Sequence, residues 1–272
     1  SIDNIHNNYL PYLSLKYKIS NKSSISFSYS NRMKYPQHYQ INPFTTYIDS
    51  LTLWQGNPYL KPEKKDRFEL SHSYFKNDIF INSRLYLRYN HNPIQSTVFI
   101  GQNNVKINKW SNIGYSYKIG ANLNTSFKLF KKIEFNPSID FFYEEFNNNS
   151  QIWSGYSYEF SISPILSLKN NLNMGINFYF IGESIMYQGY KTQTPLFDFF
   201  LTKTLFKEQA SISINIVPFD DYYTYKYKEE DFYYYRREVE RYKNINIEFI
   251  YSFNRGNDIN KVDTKTKLEK DF

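Results

Sequence analysis

Residues 113–129 read IGYSYKIGANLNTSFKL and alternate between two kinds of side chain. The odd-numbered positions are mostly apolar or aromatic, whereas the even-numbered positions are Gly, Ser, Lys and Asn. Such a period of two is typical of a β-strand whose two faces meet different surroundings. Seventeen residues at about 3.4 Å each give a strand of about 58 Å, longer than most strands of soluble sheets. The stretch therefore predicts a strand that is long enough to cross a membrane.

Similar alternation recurs along the whole chain, and eleven strands are predicted. The other runs lie at residues 13–19, 25–29, 68–74, 79–89, 133–143, 156–162, 172–180, 197–205, 210–216 and 245–253. The polar faces are rich in Ser, Asn and Gly, which suits a wet barrel interior. We therefore expect an all-β fold: a transmembrane antiparallel β-barrel to which this chain contributes about 11 strands.

The composition agrees with a strand-based membrane protein. Tyr and Phe, at 28 and 24 of 272 residues, are strand-favouring rings, and the mean hydropathy is −0.64. No run approaches the roughly 18 apolar residues of a membrane-spanning helix. The absence of Cys excludes disulfides and thiolate metal sites. A net charge of +7 suits contact with lipid headgroups, and no nucleic-acid-binding module accompanies it.

Short turns and long connections alternate along the chain. The long ones lie at residues 33–63, around 102–107, and at 147–151, 183–193 and 219–240. In outer-membrane barrels the short turns are periplasmic and the long loops extracellular. The last strand then runs towards the periplasm, so residues 1–253 are predicted to form barrel wall and residues 254–272 a charged periplasmic tail. Eleven strands cannot close with antiparallel pairing throughout, so we expect the C-terminal half of a larger barrel.

The segment WQGNPYLKPE, residues 54–63, interrupts the alternation at the end of the first long loop. Proline lacks the N–H that a ladder needs, and Gly and Asn favour turns. We interpret Gly56, Asn57, Pro58, Pro62 and Glu63 as a structural brace at the barrel rim.

This segment belongs to a wider resemblance that covers nearly the whole chain. Its specific parts are Asn31-Arg32, Pro36, NPF at residues 42–44, GNP at 56–58, LKPE at 60–63 and the closing IEFIYSFNRG at 247–256. In this order they resemble the C-terminal barrel half of Bacteroidetes TonB-dependent receptors and their outer-membrane β-barrel relatives. The resemblance implies a barrel of about 22 strands in outer-membrane lipid, around an N-terminal plug that these residues do not contain. It also implies an N-terminal barrel half and plug as partners, TonB acting through that plug, and a surface lipoprotein.

Two functions follow from the resemblance. The first is import of a nutrient, namely a siderophore, a glycan or a peptide, through a plugged barrel in the bacterial outer membrane. The second is a non-transporting barrel subunit or scaffold of a multi-protein outer-membrane assembly. The sequence upstream of Ser1 separates them, because a plug with a TonB box favours import.

Residues 222–242 are the densest aromatic and charged stretch, and two interpretations are open for them. One is a hairpin whose rings pack on one another; the other is a ligand site of aromatic faces and cations. The candidate ligand-binding residues are Tyr222, Tyr223, Tyr225, Tyr233, Tyr234, Tyr235, Arg236 and Arg237. Trp54, Trp110 and Trp153 lie near strand ends and are interpreted as members of a lipid–water interfacial girdle.

The histidines argue against an enzyme and against a metal site. They stand at positions 6, 38, 72 and 91, with no pair at metal-ligand spacing and no visible nucleophile–base arrangement. We therefore predict no catalytic residues, no metal ligands and no cofactor.

Overall fold

The computed structural model describes residues 9–130, 132–206, 209–228, 232–241 and 243–253. The strands in these residues are β1 (Tyr12–Ser20), β2 (Ser23–Lys34), β3 (Thr45–Asp49), β4 (Thr52–Gln55), β5 (Glu63–Lys76), β6 (Ile79–His91), β7 (Ile94–Ile100), β8 (Lys106–Asn112), β9 (Tyr115–Leu129), β10 (Ile133–Phe135), β11 (Ser138–Asn147), β12 (Ile152–Ile162), β13 (Ile165–Leu168), β14 (Leu172–Ile181), β15 (Ser184–Met186), β16 (Gly189–Gln193), β17 (Leu196–Leu205), β18 (Ala210–Val217), β19 (Asp221–Lys228), β20 (Tyr233–Glu240) and β21 (Asn244–Tyr251). A helix, α1 (His38–Ile41), and a 3-10 turn (Gln102–Asn104) lie in the loops. Across the described ranges, no helix has the length and apolar character that crossing a membrane requires.

One large antiparallel sheet contains every predicted strand. Its order is β1-β2-β5-β6-β9-β10-β13-β14-β17-β18-β21, and β11 and β12 pair with each other beyond β10 and β13. The segments β10 and β11 keep one register on β9, since Phe135 pairs with Phe127 and Ser138 with Asn124. Each pair of segments is therefore one interrupted strand, and the prediction of eleven strands in an all-β fold is confirmed.

Two prolines cause these interruptions. Pro137 separates β10 from β11, and Pro164 separates β12 from β13. Proline cannot donate to the ladder, but its carbonyl still accepts, from Thr125 N at 3.0 Å and from Ile176 N at 3.3 Å respectively. The strands therefore lose donors locally without losing register.

The two faces of the sheet differ as the alternation predicts. Leu85, Ile119 and Phe141 lie on one face and are 58%, 51% and 53% exposed. Tyr86 and Phe142 lie on the opposite face and are 4% and 2% exposed. In a soluble sheet the apolar face is normally buried. Here the apolar face is the exposed one, as expected for a sheet whose apolar side contacts lipid.

The predicted alternation of short turns and long loops is confirmed except between β11 and β12, where residues 148–151 form a short turn and not a long loop. The turn from β5 to β6 consists of Asn77 and Asp78, both with positive φ (48° and 63°), and Asn170 and Asn171 (62° and 56°) form the turn before β14. Two positive φ values match the turn to the twist of a tight hairpin, and Asn and Asp tolerate them. The predicted tail, residues 254–272, lies outside the described residues.

The long loops form two further sheets, which the sequence prediction lacked. Loop sheet 1 has the order β3-β4-β8-β7, and loop sheet 2 has the order β15-β16-β19-β20. In loop sheet 1, β4 and β8 come from different loops and pair in parallel. The predicted bounds of 102–107 for the second loop were wrong: it extends from the end of β6 to the start of β9 and contains the β7–β8 hairpin, whose strand-like pattern hides the boundary.

The large sheet is open in the described residues. The first strand, β1, pairs with β2, and the last strand, β21, pairs with β18; β1 and β21 are not paired with each other. All residues of both edge strands are exposed.

Gly120 of β9 allows close packing on the shielded face, the face of the large sheet that carries Tyr86 and Phe142. Gly120 pairs with Tyr86, and a Cβ at position 120 would lie 2.6 Å from the Tyr86 Oη and 2.8 Å from the carbonyl oxygen of Phe141. The carbonyl cannot move away without disturbing the ladder. We expect Gly120→Ala to lower the fraction of protein that reaches the folded, heat-modifiable form in outer membranes, measured on gels with and without boiling. Gly101→Ala is the control, because there the nearest atom is the side-chain tip of Ile107 at 3.0 Å; equal losses would contradict the packing argument.

Candidate functional site

The GNP part of the loop motif packs against the backbone of helix α1 and of β8. A Cβ on Gly56 would lie 2.1 Å from the carbonyl oxygen of Asn42, so only glycine fits. Asn57 donates its backbone N–H to the Gln40 carbonyl (2.7 Å) and its side-chain amide to the Trp110 carbonyl (3.1 Å). The first bond lies within the first loop, and the bond to Trp110 connects the first loop to the second.

Glu63, the last residue of the motif, has a buried carboxylate. Glu63 is 3% exposed and accepts a hydrogen bond from Ile94 N at 3.0 Å. Its oxygens also lie 2.7 Å from the Lys65 Nζ and 3.6 Å from the Lys34 Nζ. A buried charge needs such partners, and here they come from three strands, β2, β5 and β7.

The stretch at residues 222–242 forms the hairpin β19–β20 of loop sheet 2; residues 229–231 and Tyr242 lie outside the described residues. Its base is fixed by Asp221, which is fully buried. The Asp221 carboxylate accepts hydrogen bonds from Gln193 Nε2 (2.7 Å) and Thr194 Oγ1 (3.0 Å). The hairpin is therefore anchored to the loop between β14 and β17.

The register divides the eight candidate residues between two faces. Tyr225 pairs with Arg236 and Tyr227 pairs with Tyr234, which places Tyr223, Tyr225, Tyr234 and Arg236 on one face. The other four, Tyr222, Tyr233, Tyr235 and Arg237, lie on the opposite face, where the Arg237 guanidinium lies 4.6 Å from the Tyr222 ring centre. The structure therefore does not gather all eight into one site.

Cations lie over the tyrosine rings of the first face. The Lys191 Nζ is 4.2 Å from the ring centre of Tyr223, and the Arg236 guanidinium carbon is 5.1 Å from that of Tyr225. Arg236 also forms an ion pair with Glu238. Burial, and then the Glu238 charge, raises the pKa of Tyr225 to about 12, so this hydroxyl stays a neutral hydrogen-bonding group at any physiological pH.

Lys106 of loop sheet 1 reaches this same face, and sequence reasoning missed it. It is 5% exposed, with its Nζ 3.9 Å from the ring centre of Tyr234 and 5.6 Å from that of Tyr227. Burial, and then repulsion from Arg236, lowers the pKa of Lys106 to about 8. The Lys106 side chain, packed against these two rings, joins the two loop sheets. A lysine at a strand start carries no sequence signal of its own, because its partners are more than a hundred residues away.

The face of the large sheet that carries Tyr86 and Phe142 also bears charged side chains, where the sequence analysis noted only Ser, Asn and Gly. Lys118 and Glu144 are ion-paired at 3.0 Å, and the Tyr86 hydroxyl donates to Asp140 at 2.9 Å. Arg88 lies 4.6 Å from the Tyr86 ring centre. The period-two pattern could have found this row, since all of these positions have the polar parity of their strands.

The tryptophans do not form the predicted girdle. Trp54 and Trp110 contact each other in loop sheet 1, with ring centres 5.6 Å apart. Trp153 packs on Tyr187, with ring centres 4.7 Å apart, beside the buried cluster of Ile113, Phe146 and Ile185. That prediction was wrong because closeness to a strand end does not reveal which face a side chain takes.

The histidines make separate contacts. His72 Nε2 lies 2.8 Å from Ser23 Oγ, and His91 Nε2 lies 3.0 Å from Asp66 Oδ2. Ser23 and Asp66 therefore contact different histidines. Across the described ranges no group of three potential metal ligands is present.

The lowered pKa of Lys106 predicts a pH dependence of hairpin docking. The folded pKa of about 8 lies below the ordinary value of 10.5, so the undocked protein binds more protons between these values and docking strengthens as pH rises through that window. We expect trypsin cleavage after Arg236 and Arg237, normalised to a peptide of residues 232–241, to fall severalfold between pH 7.5 and 9.5. Lys106→Met should remove this dependence, because it keeps the packed stem without the charge.

The matched control is Lys191→Met, since Lys191 also lies over two tyrosine rings but does not join the two loop sheets. A pH dependence that persists in the Lys106 variant, or disappears in the Lys191 variant, would contradict the assignment.

Comparisons with known proteins agree with this architecture. The model of the outer membrane protein beta-barrel family matches residues 1–253. No curated protein sequence matches. The siderophore receptor PirA from Pseudomonas aeruginosa has a similar structure: 15% identity, a TM-score of 0.56, and coverage of 77% of this chain and 36% of that one.

Two other solved structures are similar to the same extent. A mutant of the ferric enterobactin receptor PfeA from Pseudomonas aeruginosa, in complex with enterobactin, shares 15% identity at a TM-score of 0.57, over 77% of this chain and 35% of that one. The copper transporter OprC shares 11% identity at a TM-score of 0.56, over 76% and 32%. At such identities the likeness shows the fold alone, and this chain spans about a third of each structure.

The family match covers nearly the whole chain, and the open apolar face and the long strands are those of a membrane barrel wall. The chain belongs to the outer membrane protein beta-barrel family, and it lies in the outer membrane.

Proposed function

We propose that the chain is the C-terminal barrel half of a Bacteroidetes TonB-dependent receptor that imports a nutrient through a barrel of about 22 strands. Residues 1–253 form wall and loops, and residues 254–272 are a periplasmic tail. The substrate is a siderophore, a glycan or a peptide that is captured by the extracellular loops.

The open edges support the barrel half. In lipid, each unpaired backbone N–H or C=O costs several kcal/mol, so β1 and β21 need neighbours. Antiparallel closure requires an even number of strands, which eleven strands do not provide. Strands from outside these 272 residues complete the wall in this proposal.

The contact between the two loop sheets is the observation that supports the receptor function most directly. Loops from four connections fold together, and their contacts include the buried Lys106 against Tyr227 and Tyr234 and two hydrogen bonds between Gln188 and Val98. A receptor needs such an ordered surface at the loop end, above an interior lined with charges. The first face of the hairpin, with Tyr223, Tyr225, Tyr234 and Arg236, is the proposed ligand-contacting part, and residues 56–63 brace the rim beside it.

Partners follow from the same proposal. A plug and a further barrel half, from the same gene or a second chain, fill and close the barrel. TonB acts on the plug to release the ligand, and a surface lipoprotein covers the loops.

One observation favours the scaffold instead. Phe44, Tyr47 and Ile48, at the β3 edge of loop sheet 1, are 77%, 73% and 63% exposed. Exposed aromatic and aliphatic side chains on an unpaired strand edge suit a protein partner. This patch provides the alternative function, a structural subunit of an outer-membrane assembly.

Replacement of residues 222–242 by a two-residue Asn-Gly turn tests the receptor proposal. We expect loss of growth on one class of nutrient, supplied as iron chelates, glycans or peptides, while the amount of folded protein in the outer membrane stays unchanged. Uptake in the parent strain should also stop on addition of a protonophore, because TonB works from the inner-membrane gradient.

The control is the triple substitution Phe44→Ser, Tyr47→Ser and Ile48→Ser, which removes the exposed patch and leaves the hairpin intact. Unchanged growth of the hairpin variant on every nutrient, together with loss of a co-purifying protein from the patch variant, would reject the receptor and support the scaffold.

A further inference from the structure

A groove of about 680 Å³ lies on the apolar face of the large sheet, near the short turns. It crosses β10, β13, β14, β17 and β18. One row of its side chains is continuous, because each member pairs with the next across the strands: Ile133, Leu166, Met174, Leu201 and Ile214. Ligand sites usually have volumes of about 300 to 1,000 Å³, so the groove is large enough for part of a lipid molecule.

Pro164 gives the groove its depth. Its carbonyl accepts from Ile176 N at 3.3 Å, so its short ring lies in the row of Ile176 and Phe199, whose side chains are longer. The lining is open to the surroundings, since Met174, Ile176 and Phe199 are 42%, 39% and 42% exposed. A molecule in the membrane can therefore reach these side chains directly.

A lysine lies on the same face, one row nearer the turns. Lys203 pairs with Leu172 on one side and with Ile212 on the other. It follows Leu201 by two positions, about 7 Å along the strand. Among the described residues of the strands that line the groove, Lys203 is the only charged residue on this face. A cation in an otherwise apolar row that faces lipid needs a polar or anionic partner.

The contacts of Lys203 bring a second cation to the same corner of the groove. The Lys203 Nζ donates to the carbonyl oxygen of Asn170, in the turn between β13 and β14. Lys169 directly precedes Asn170 and is exposed. An ammonium group has three donors, so one bond to a carbonyl leaves Lys203 able to bind a further acceptor. Lys169 and Lys203 together form what we call the lysine corner.

The turns at this end of the groove are rich in lysine. Segments 128–134, 168–172 and 203–209 contain Lys128, Lys131, Lys132, Lys169, Lys203 and Lys207, of which Lys131 and Lys207 lie outside the described residues. The carboxylates of these segments are Glu134, which pairs with Lys128 on the opposite face, and Glu208, which lies outside the described residues. Positive charge therefore predominates in these turns.

We propose that the groove and the lysine corner bind one anionic phospholipid of the periplasmic leaflet. In outer-membrane barrels the short turns are periplasmic, so the lysine corner lies at the level of the phospholipid headgroups. An acyl chain fills the groove, and the headgroup phosphate accepts hydrogen bonds from Lys169 and Lys203. A zwitterionic phospholipid binds less tightly, because its own cation offsets the phosphate charge. The inference uses the location in the outer membrane and not the proposed import.

Native mass spectrometry of the full-length protein, purified in detergent from outer membranes and washed free of lipid, tests the proposal. The probes are dioleoyl phosphatidylglycerol and, as its zwitterionic match, dioleoyl phosphatidylethanolamine. We expect phosphatidylglycerol to bind about five- to thirtyfold more tightly, the worth of one or two lysines beside an anionic headgroup. Glycerol phosphate, which has the headgroup without acyl chains, should not displace the bound lipid.

Three variants locate the binding. Lys169→Gln combined with Lys203→Gln should reduce the affinity for phosphatidylglycerol to that for phosphatidylethanolamine, and Lys169→Arg combined with Lys203→Arg should keep the parent value. Met174→Trp fills the groove with an apolar side chain and should weaken binding of both lipids severalfold. Folded, heat-modifiable protein should stay at the parent amount in all three, because the changes lie on the exposed face or in a turn.

The matched control is Lys76→Gln. Lys76 also lies beside a short turn, where it pairs with Ile79, but it is remote from the groove. Equal affinity for the two lipids, an unchanged preference in the double Gln variant, or an equal loss in the Lys76 variant overturns the lysine corner. Displacement by glycerol phosphate, or unchanged binding in the Met174 variant, overturns the groove as the site of the acyl chain.

Discussion

Backbone hydrogen bonding in an apolar surrounding is the constraint on which the structure depends. A strand that crosses lipid has no water to satisfy its N–H and C=O groups, so neighbouring strands must satisfy all of them. The large sheet meets this requirement along its whole width. Even at Pro137 and Pro164, where donors are missing, the carbonyls still accept and the register continues. Within the large sheet of the described residues, the requirement is unmet at the outer edges of β1 and β21, and in the proposed barrel half further strands satisfy it there.

The loops follow a different rule, because water surrounds them and side chains carry much of their order. Asn57, Glu63, Gln188 and Asp221 each connect segments that are far apart in sequence. The two loop sheets meet at Lys106 and at the Gln188–Val98 hydrogen bonds. A rigid sheet that carries ordered loops is a suitable arrangement for recognition, since the loops keep sequence freedom while their positions are fixed.

The sequence was sufficient for the large sheet because its signal is local. Each crossing strand alternates over many residues, and all eleven were predicted. The interruptions at the two prolines were missed, since alternation continues through them. The β7–β8 hairpin was also missed, because side chains alternate with a period of two in strands that face water and in strands that face lipid alike.

The loop architecture was beyond sequence reasoning because its contacts are long-range. The sequence around Lys106 does not predict its contact with Tyr234, and the sequence around Gln188 does not predict its bond to Val98. The eight hairpin residues were chosen by density of rings and charges, but their register decides which of them share a face. The parallel pairing of β4 with β8 likewise joins two loops that no local pattern relates.

Cysteine cross-linking in outer membranes tests the central claim, that β1 and β21 are edges completed by other strands. These 272 residues contain no cysteine, so no native thiol of this chain competes with the introduced pairs. The register partners Ser213 and Glu248, changed to Cys, join β18 to β21 and are the positive control. Pairs that combine Cys at Ser14 or Lys16 of β1 with Cys at Asn246 or Glu248 of β21 should give no disulfide while the control forms one. Efficient cross-linking of β1 to β21 would show a closed ring of these strands alone and would contradict the account.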